Sequence, residues 1–142
     1  MKNLANCKPS EFLKQTNRIK KSVERWLTAT DVLNIRKTLP VLSPVMDRMS
    51  SEERKQVRME NQRRIQDQSR ENLSRMLDAI LDEHPEETLE LLALLCFVEP
   101  QDVDNHTMDE YLTAVGEMIS NQAVISFFTS LAQLGLMDIS KA

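Results

Sequence analysis

Pro85-Glu86-Glu87-Thr88-Leu89-Glu90-Leu91-Leu92-Ala93-Leu94-Leu95-Cys96-Phe97-Val98 is the stretch from which the fold is read. A break at His84-Pro85 opens it and Glu99-Pro100 closes it. Proline suits a first helical turn, where its missing N–H would have no partner anyway, and Glu86 and Glu87 complement the positive end of the helix. Beyond that turn the segment is apolar nearly all round, the pattern of a helix buried at the centre of a bundle. Its uninterrupted apolar run, Leu91 to Val98, falls far short of the ~20 residues that cross a bilayer.

On the C-terminal side an acidic loop leads to Thr107 and Glu110, spaced as a capping box. The helix this announces places Met108, Tyr111, Leu112, Val115, Met118 and Ile119 on one apolar stripe. A last helix, from roughly Gln122 to Leu134, carries Val124, Phe127, Phe128, Leu131 and Leu134, with Gly135 as its stop. On the N-terminal side Ser50 and Glu53 repeat the capping pattern and open a long polar helix over about 50–83. Glu60–Arg64 and Glu71–Arg75 add i, i+4 pairs to it. Its last part, with Leu73, Met76, Leu77, Ile80 and Leu81, turns amphipathic and is expected to dock on the core.

Further out, Pro9 to Leu27 reads as the first helix, with Phe12, Ile19, Val23 and Trp26 on its inner face. A short second helix over 31–38 follows, capped by Thr30 and ended by Leu39-Pro40. Val41 to Met49 reads as an irregular connector. No strand pattern of comparable length occurs, and only two glycines are present, against sandwiches, barrels and phosphate loops alike. The expectation is one all-α domain of five to six helices around a central apolar helix (85–98), made of basic N-terminal helices and a connector (1–49), a long polar helix (50–83) and an acidic helical core (84–142). Of the methionines, Met76, Met108 and Met118 read as core. The six aromatic residues, Phe12, Trp26, Phe97, Tyr111, Phe127 and Phe128, all fall at core-like helical positions.

Charge adds a second dimension. The net charge of −4 conceals 17 basic against 9 acidic residues in 1–75, and Lys141 alone against 13 acidic ones in 76–142. Half the chain would therefore repel phosphate, which argues against nucleic acid as the partner. The segment Arg54, Lys55, Arg58, Arg63, Arg64, Arg70 and Arg75 is interleaved with acids and has no aromatic for base stacking, as a solvated helix face does. Lys14, Arg18, Lys20, Lys21 and Arg25 are less neutralised and suit a phosphate or an acidic protein. Met46 and Met49, in the connector, suit an adaptable contact surface.

Chemistry finds little footing. An EF-hand loop beginning at Asp102 would need glycine sixth and an acid twelfth, where Thr107 and Thr113 stand. Asp102, Asp104 and His106 fit a helix-capping loop better than a metal site. His84 and His106 lack a nucleophile at any recognised spacing. Cys7 and Cys96 read as free thiols of a reducing compartment, and the first residues lack the apolar run of a secretory signal. The reading is of a non-enzymatic module with no cofactor and no metal.

Two blocks carry a resemblance. One is Glu11-Phe12-Leu13-Lys14 through Trp26 to Ile35-Arg36-Lys37-Thr38-Leu39-Pro40. The other is Leu94-Leu95-Cys96-Phe97-Val98-Glu99-Pro100, then Met108-Asp109-Glu110-Tyr111-Leu112 and Ser126-Phe127-Phe128-Thr129-Ser130-Leu131. Together they resemble tail assembly chaperones of long-tailed (siphovirus-type) bacteriophages and prophages. The resemblance implies a protein of the host bacterial cytoplasm that coats the tape-measure protein, helps tail-tube subunits polymerise around it, and is absent from the mature virion. It supplies no motif-defined contact residues. From the residues alone, contacts are expected at Lys14, Arg18, Lys21, Arg25, Met46, Met49, Arg54 and Arg58 on the basic side, and at Glu86, Glu87, Glu90, Asp102 and Asp104 on the acidic side. The opposed halves also suit head-to-tail self-association. Two other classes stay open: a small nucleic-acid-binding or regulatory protein, and a structural virion or adaptor component.

Overall fold

A computed structural model describes residues 1–133, with no strand among them. Six α-helices follow in order: α1 (Pro9–Thr30), α2 (Val32–Arg36), α3 (Ser51–Asp78), α4 (Pro85–Leu95), α5 (Met108–Ser120) and α6 (Gln122–Gln133). A π turn, Ala79–Glu83, extends α3, and a 3-10 turn, Pro100–Asn105, joins α4 to α5. The all-α expectation therefore holds. The parts of the last-helix reading that concern Leu134 and Gly135, and the burial of Leu131, lie outside the described residues.

The principal packing is α1 against α4. Along α1 the residues turned inward are Gln15, Ile19, Ser22 and Thr30. Spaced 4, 3 and 8 apart, they form one stripe. Small and polar groups on that stripe let the helix approach the wholly buried Ala93 and its neighbour Leu94. Gln15 Nε2 donates to Leu94 O at 3.2 Å, and Trp26 Nε1 donates to Thr88 Oγ1 at 3.0 Å. Ser22 Oγ is buried without a hydrogen-bond partner, which costs about 1–3 kcal/mol.

Helix ends account for several departures from the sequence reading. α1 runs on to Thr30, whose hydroxyl donates to Trp26 O at 2.7 Å, so Thr30 closes α1 and does not cap α2. The chain reverses at Asp31, held in the left-handed region at φ 55° with its N–H on Leu27 O. α2 is correspondingly shorter than 31–38. α4 stops at Leu95, not Val98, because Phe97 adopts φ 57°. Phe97 N–H then reaches Leu94 O (3.2 Å) and Val98 N–H reaches Ala93 O (2.9 Å), the paired bonds of a Schellman stop. Phenylalanine stands where glycine is usual, at a cost of about 1 kcal/mol.

The second packing centre lies beyond α4. Cys96, Tyr111 and Ala114 are buried together, flanked by Leu92, Val98 and Val103. Tyr111 donates to Val103 O at 2.7 Å, which anchors the 3-10 turn. Thr107 accepts Glu110 N–H at 3.2 Å, one arm of the expected capping box. The inner face of α5 is Tyr111, Ala114 and Met118, whereas Met108, Leu112 and Ile119 are exposed, so the apolar stripe read from the sequence is split between the core and solvent. At α6, Phe127 meets Phe12 and Phe128 edge-on at 5.5 and 5.6 Å, but Phe127 is partly exposed. Asn3, wholly buried, donates to Glu117 Oε2 at 2.7 Å and ties the N-terminal segment to α5.

α3 is built differently. Its 28 residues extend about 42 Å, and the single buried residue among them is Asn72. Ser50 accepts Glu53 N–H at 3.2 Å, as the capping pattern predicts. Glu60 and Arg64 approach to 3.5 Å. The expected docking of the helix's last part holds only in part: Met76 and Ile80 are half-buried, whereas Leu73, Leu77 and Leu81 are exposed, and the inward position after Asn72 is Ala79. The π turn sends His84 N–H to Ala79 O at 3.0 Å. Ile80 O thereby loses His84, and Pro85 has no N–H to give. Thr88 Oγ1 donates to it at 2.7 Å while accepting Trp26, so one hydroxyl joins α1, the π turn and α4.

Candidate functional site

Arg54, Asn61, Arg64, Gln68 and Asn72 recur along α3 at intervals of three, four and seven, and so lie on one face. That face carries the connector. Residues 38–49 run back antiparallel to α3 as an extended strap, held at four heights. Asn72 Nδ2 donates to Thr38 O at 2.9 Å. Arg64 Nη1 donates to Val41 O at 3.3 Å and to Ser43 Oγ at 3.1 Å. Asn61 grips Ser43 twice, Oδ1 accepting its N–H and Nδ2 donating to its carbonyl, both at 2.9 Å. Arg54 donates to Met49 O at 3.2 Å and to Asp47 O at 2.9 Å. Gln68 Nε2 donates to Asn72 Oδ1 at 2.9 Å, fixing which way that amide faces.

Apart from Arg64 on the Ser43 hydroxyl, the contacts to the strap read its backbone. An amide that both donates and accepts satisfies one residue's N–H and C=O together, as a neighbouring strand would. Pro40 and Pro44 deny the strap a regular ladder, so helix side chains supply the partners instead. Because the strap's backbone turns to α3, its apolar side chains turn to solvent: Leu39 is 83% exposed and Val41 87%, with Leu42, Val45 and Met46 also exposed. The result is an ordered apolar surface whose conformation is fixed by polar bonds beneath it.

The expected contact residues distribute unevenly over this geometry. Met46 lies on the exposed strap and Met49 is half-buried at its turn. Arg54 is a strap anchor, and Arg58 is exposed on α3. Arg18 is engaged within the chain: its Nη1 and Nη2 donate to the two carboxylate oxygens of Glu99 at 2.9 and 2.8 Å. Arg25 pairs with Glu90. The union of basic and acidic halves expected between copies is thus made, at two places, inside one copy. Lys14 and Lys21 are exposed; Lys21, Arg25 and Glu87 line a shallow groove of 510 Å³ on α1. Glu86, Asp102 and Asp104 are exposed, apart from the strap.

Titrating groups follow their neighbours. The Arg18 guanidinium holds the Glu99 carboxyl below its ordinary range, and the bond to His106, with Thr107 N–H, does the same for Glu110. Burial pushes the Cys96 thiol up to about 11, so it stays protonated and a poor nucleophile. Cys7 is also raised, mainly by burial. His106 Nδ1 lies 2.8 Å from Glu110 Oε2, and His84 Nδ1 lies 3.7 Å from Glu87. Among the described residues no three His, Cys, Asp or Glu side chains are grouped to hold a metal ion, and no helix is long and apolar enough to cross a membrane.

Asn61, Gln68 and Asn72, which hold the strap directly or through one another, were not singled out by the sequence reading, and Arg64 was read there only as part of a solvated face. Their signal was a polar stripe at helical spacing on a helix whose leucines point elsewhere. No protein-family model, curated protein or solved structure matches this chain.

Proposed function

We propose that this chain is a non-enzymatic chaperone for an extended, helix-rich client, which it holds on the apolar outer face of the strap. The observation that carries the reading is the strap itself. Leu39 and Val41 stand almost fully in solvent while the backbone beneath them is fixed. A surface already ordered before binding loses little conformational entropy on contact, which favours association. Aliphatic side chains without Trp or Tyr lack the usual high-energy anchors, which keeps such association reversible.

The resemblance to tail assembly chaperones names the client: the tape-measure protein of a long-tailed phage, with tail-tube subunits polymerising around it. The protein then works in the host bacterial cytoplasm and leaves before the virion is finished. The nucleic-acid reading is weakened by the commitment of Arg18 to Glu99 and of Arg25 to Glu90.

Co-expression with the tape-measure product tests the proposal. The client is expected to become soluble and to co-purify, and Val41→Asp with Leu39→Asp is expected to abolish both effects. An insoluble client with no co-purification overturns it. Mass spectrometry of purified particles separates a chaperone, absent there, from a structural component. Salt-dependent retardation of DNA or RNA would return the nucleic-acid reading.

A further inference from the structure

The ties between α3 and the strap are unevenly spread. Thr38, Val41 and Ser43 are held by Asn72, Arg64 and Asn61, and Asp47 and Met49 by Arg54. Between these two groups lie Pro44, Val45 and Met46, which make no hydrogen bond to α3 among the described residues. Pro44 has no N–H to offer, and the Met46 carbonyl turns back to accept the Met49 N–H at 3.1 Å. The strap is therefore two limbs of different stiffness. The first, 38–43, carries Leu39 and Val41 on a pinned backbone. The second, 44–46, carries Val45 and Met46, 42% and 58% exposed, on a backbone that bridges two anchors.

Asn61 closes the first limb. Its amide holds both backbone groups of Ser43, at the point where the untied stretch begins. Arg64, three residues further along α3, bridges the Val41 carbonyl and the Ser43 hydroxyl with one nitrogen. Both side chains are half-buried beneath the strap. Losing either would leave Leu39 and Val41 in the chain but release the backbone that presents them. The presenting form would then be a fraction of the population, and apparent affinity for a partner falls by that fraction.

We propose that Asn61 and Arg64 are positioning residues: without touching the client they set its affinity by pinning the Leu39–Val41 limb, while the Val45–Met46 limb adapts to the surface it meets. An unbranched thioether on an untied backbone suits that second role. This inference deepens the client reading and rests on it.

Double-mutant cycles on affinity for the tape-measure product, titrated against the full chain, test it. Asn61→Ala is expected to weaken binding about tenfold, with faster amide exchange at 41–43 and a retained unfolding midpoint. Arg64→Ala should act in the same direction, and Arg64→Lys, which keeps a donor for the Val41 carbonyl, should restore part of the loss. Asn61→Ala is expected to be non-additive with Val41→Ala, because a released limb has less to lose there. With Met46→Ala it should be additive to within about twofold. Unchanged exchange, native affinity in Asn61→Ala, or additivity with Val41→Ala would each overturn the proposal. A native chain that holds no client overturns the client reading, and this inference with it, so the two failures are told apart by the native titration alone.

Discussion

α1 on α4 and the strap on α3 are both long antiparallel contacts, made by opposite means. In the first, buried side chains meet between the helices, and polar ties such as Gln15–Leu94 and Trp26–Thr88 are added to apolar contact. In the second the polar ties are nearly all there is, and the apolar side chains face water. Burial of apolar area stabilises by about 25 cal/mol per Å², whereas a hydrogen bond taken from water contributes about 0.5–1.5 kcal/mol. The first contact therefore fixes the fold and the second fixes the shape of a surface.

The largest test of that contrast is a pair of leucine truncations. Leu94→Ala is expected to cost about 2–5 kcal/mol in urea unfolding, since Leu94 is 2% exposed. Leu73→Ala, on the outer face of α3, should stay within about 0.5 kcal/mol. Equal losses would erase the distinction. Thr88→Val comes next. It strips Trp26 Nε1 of its acceptor and Ile80 O of its donor, and should cost about 1–3 kcal/mol with a shift in tryptophan emission.

A smaller and more local effect is expected at the strap. Asn61→Ala removes both bonds to Ser43, so amide exchange at 41–45 should quicken while the global unfolding midpoint moves little. A large drop in the midpoint would mean that the strap belongs to the core. The smallest effect concerns acid. The Glu99 carboxyl is depressed below its ordinary 4.5, chiefly by Arg18, so its contribution is present above that value and fades as pH falls through the folded pKa. Arg18→Gln should therefore make stability less dependent on pH in the acid range, followed as unfolding midpoints down a pH series. A steeper dependence would contradict the pairing.

Much of the framework was legible in the chain. Proline and acids at 85–87, the capping pairs 50/53 and 107/110, and the helical spacing around Ile19 place α4, α3, α5 and α1 where they lie. Illegible from pattern alone was the direction each face turns. Leu73, Leu77 and Leu81 read as core because apolar residues at helical spacing usually are, but orientation is set by what a helix packs against, and α3 packs against a strap that wants hydrogen bonds. The same holds for Met108, Leu112 and Ile119, which face solvent while Tyr111 and Met118 of the same stripe are buried. The left-handed Phe97 was hidden for a different reason: nothing in phenylalanine announces a glycine conformation. At the candidate site, Met46 was found as an adaptable side chain in an irregular connector, whereas Asn61 and Asn72 belonged to a stretch whose polarity had been ascribed to solvent.

The π turn at Ala79–Glu83 has a geometric consequence for the whole molecule. A π turn accommodates one residue more than the α turn it replaces. Each residue advances an α-helix by about 100° of rotation, so deleting one from this turn would swing everything after His84 by roughly that angle about the α3 axis. Thr88 would leave Trp26, and the face that α4 offers α1 would turn aside. The surplus residue thus works as a phase setting between two gears, the arm made of α3 and its strap and the body made of α1, α4 and α5, and the hydroxyl of Thr88 is the pin that keeps it from slipping.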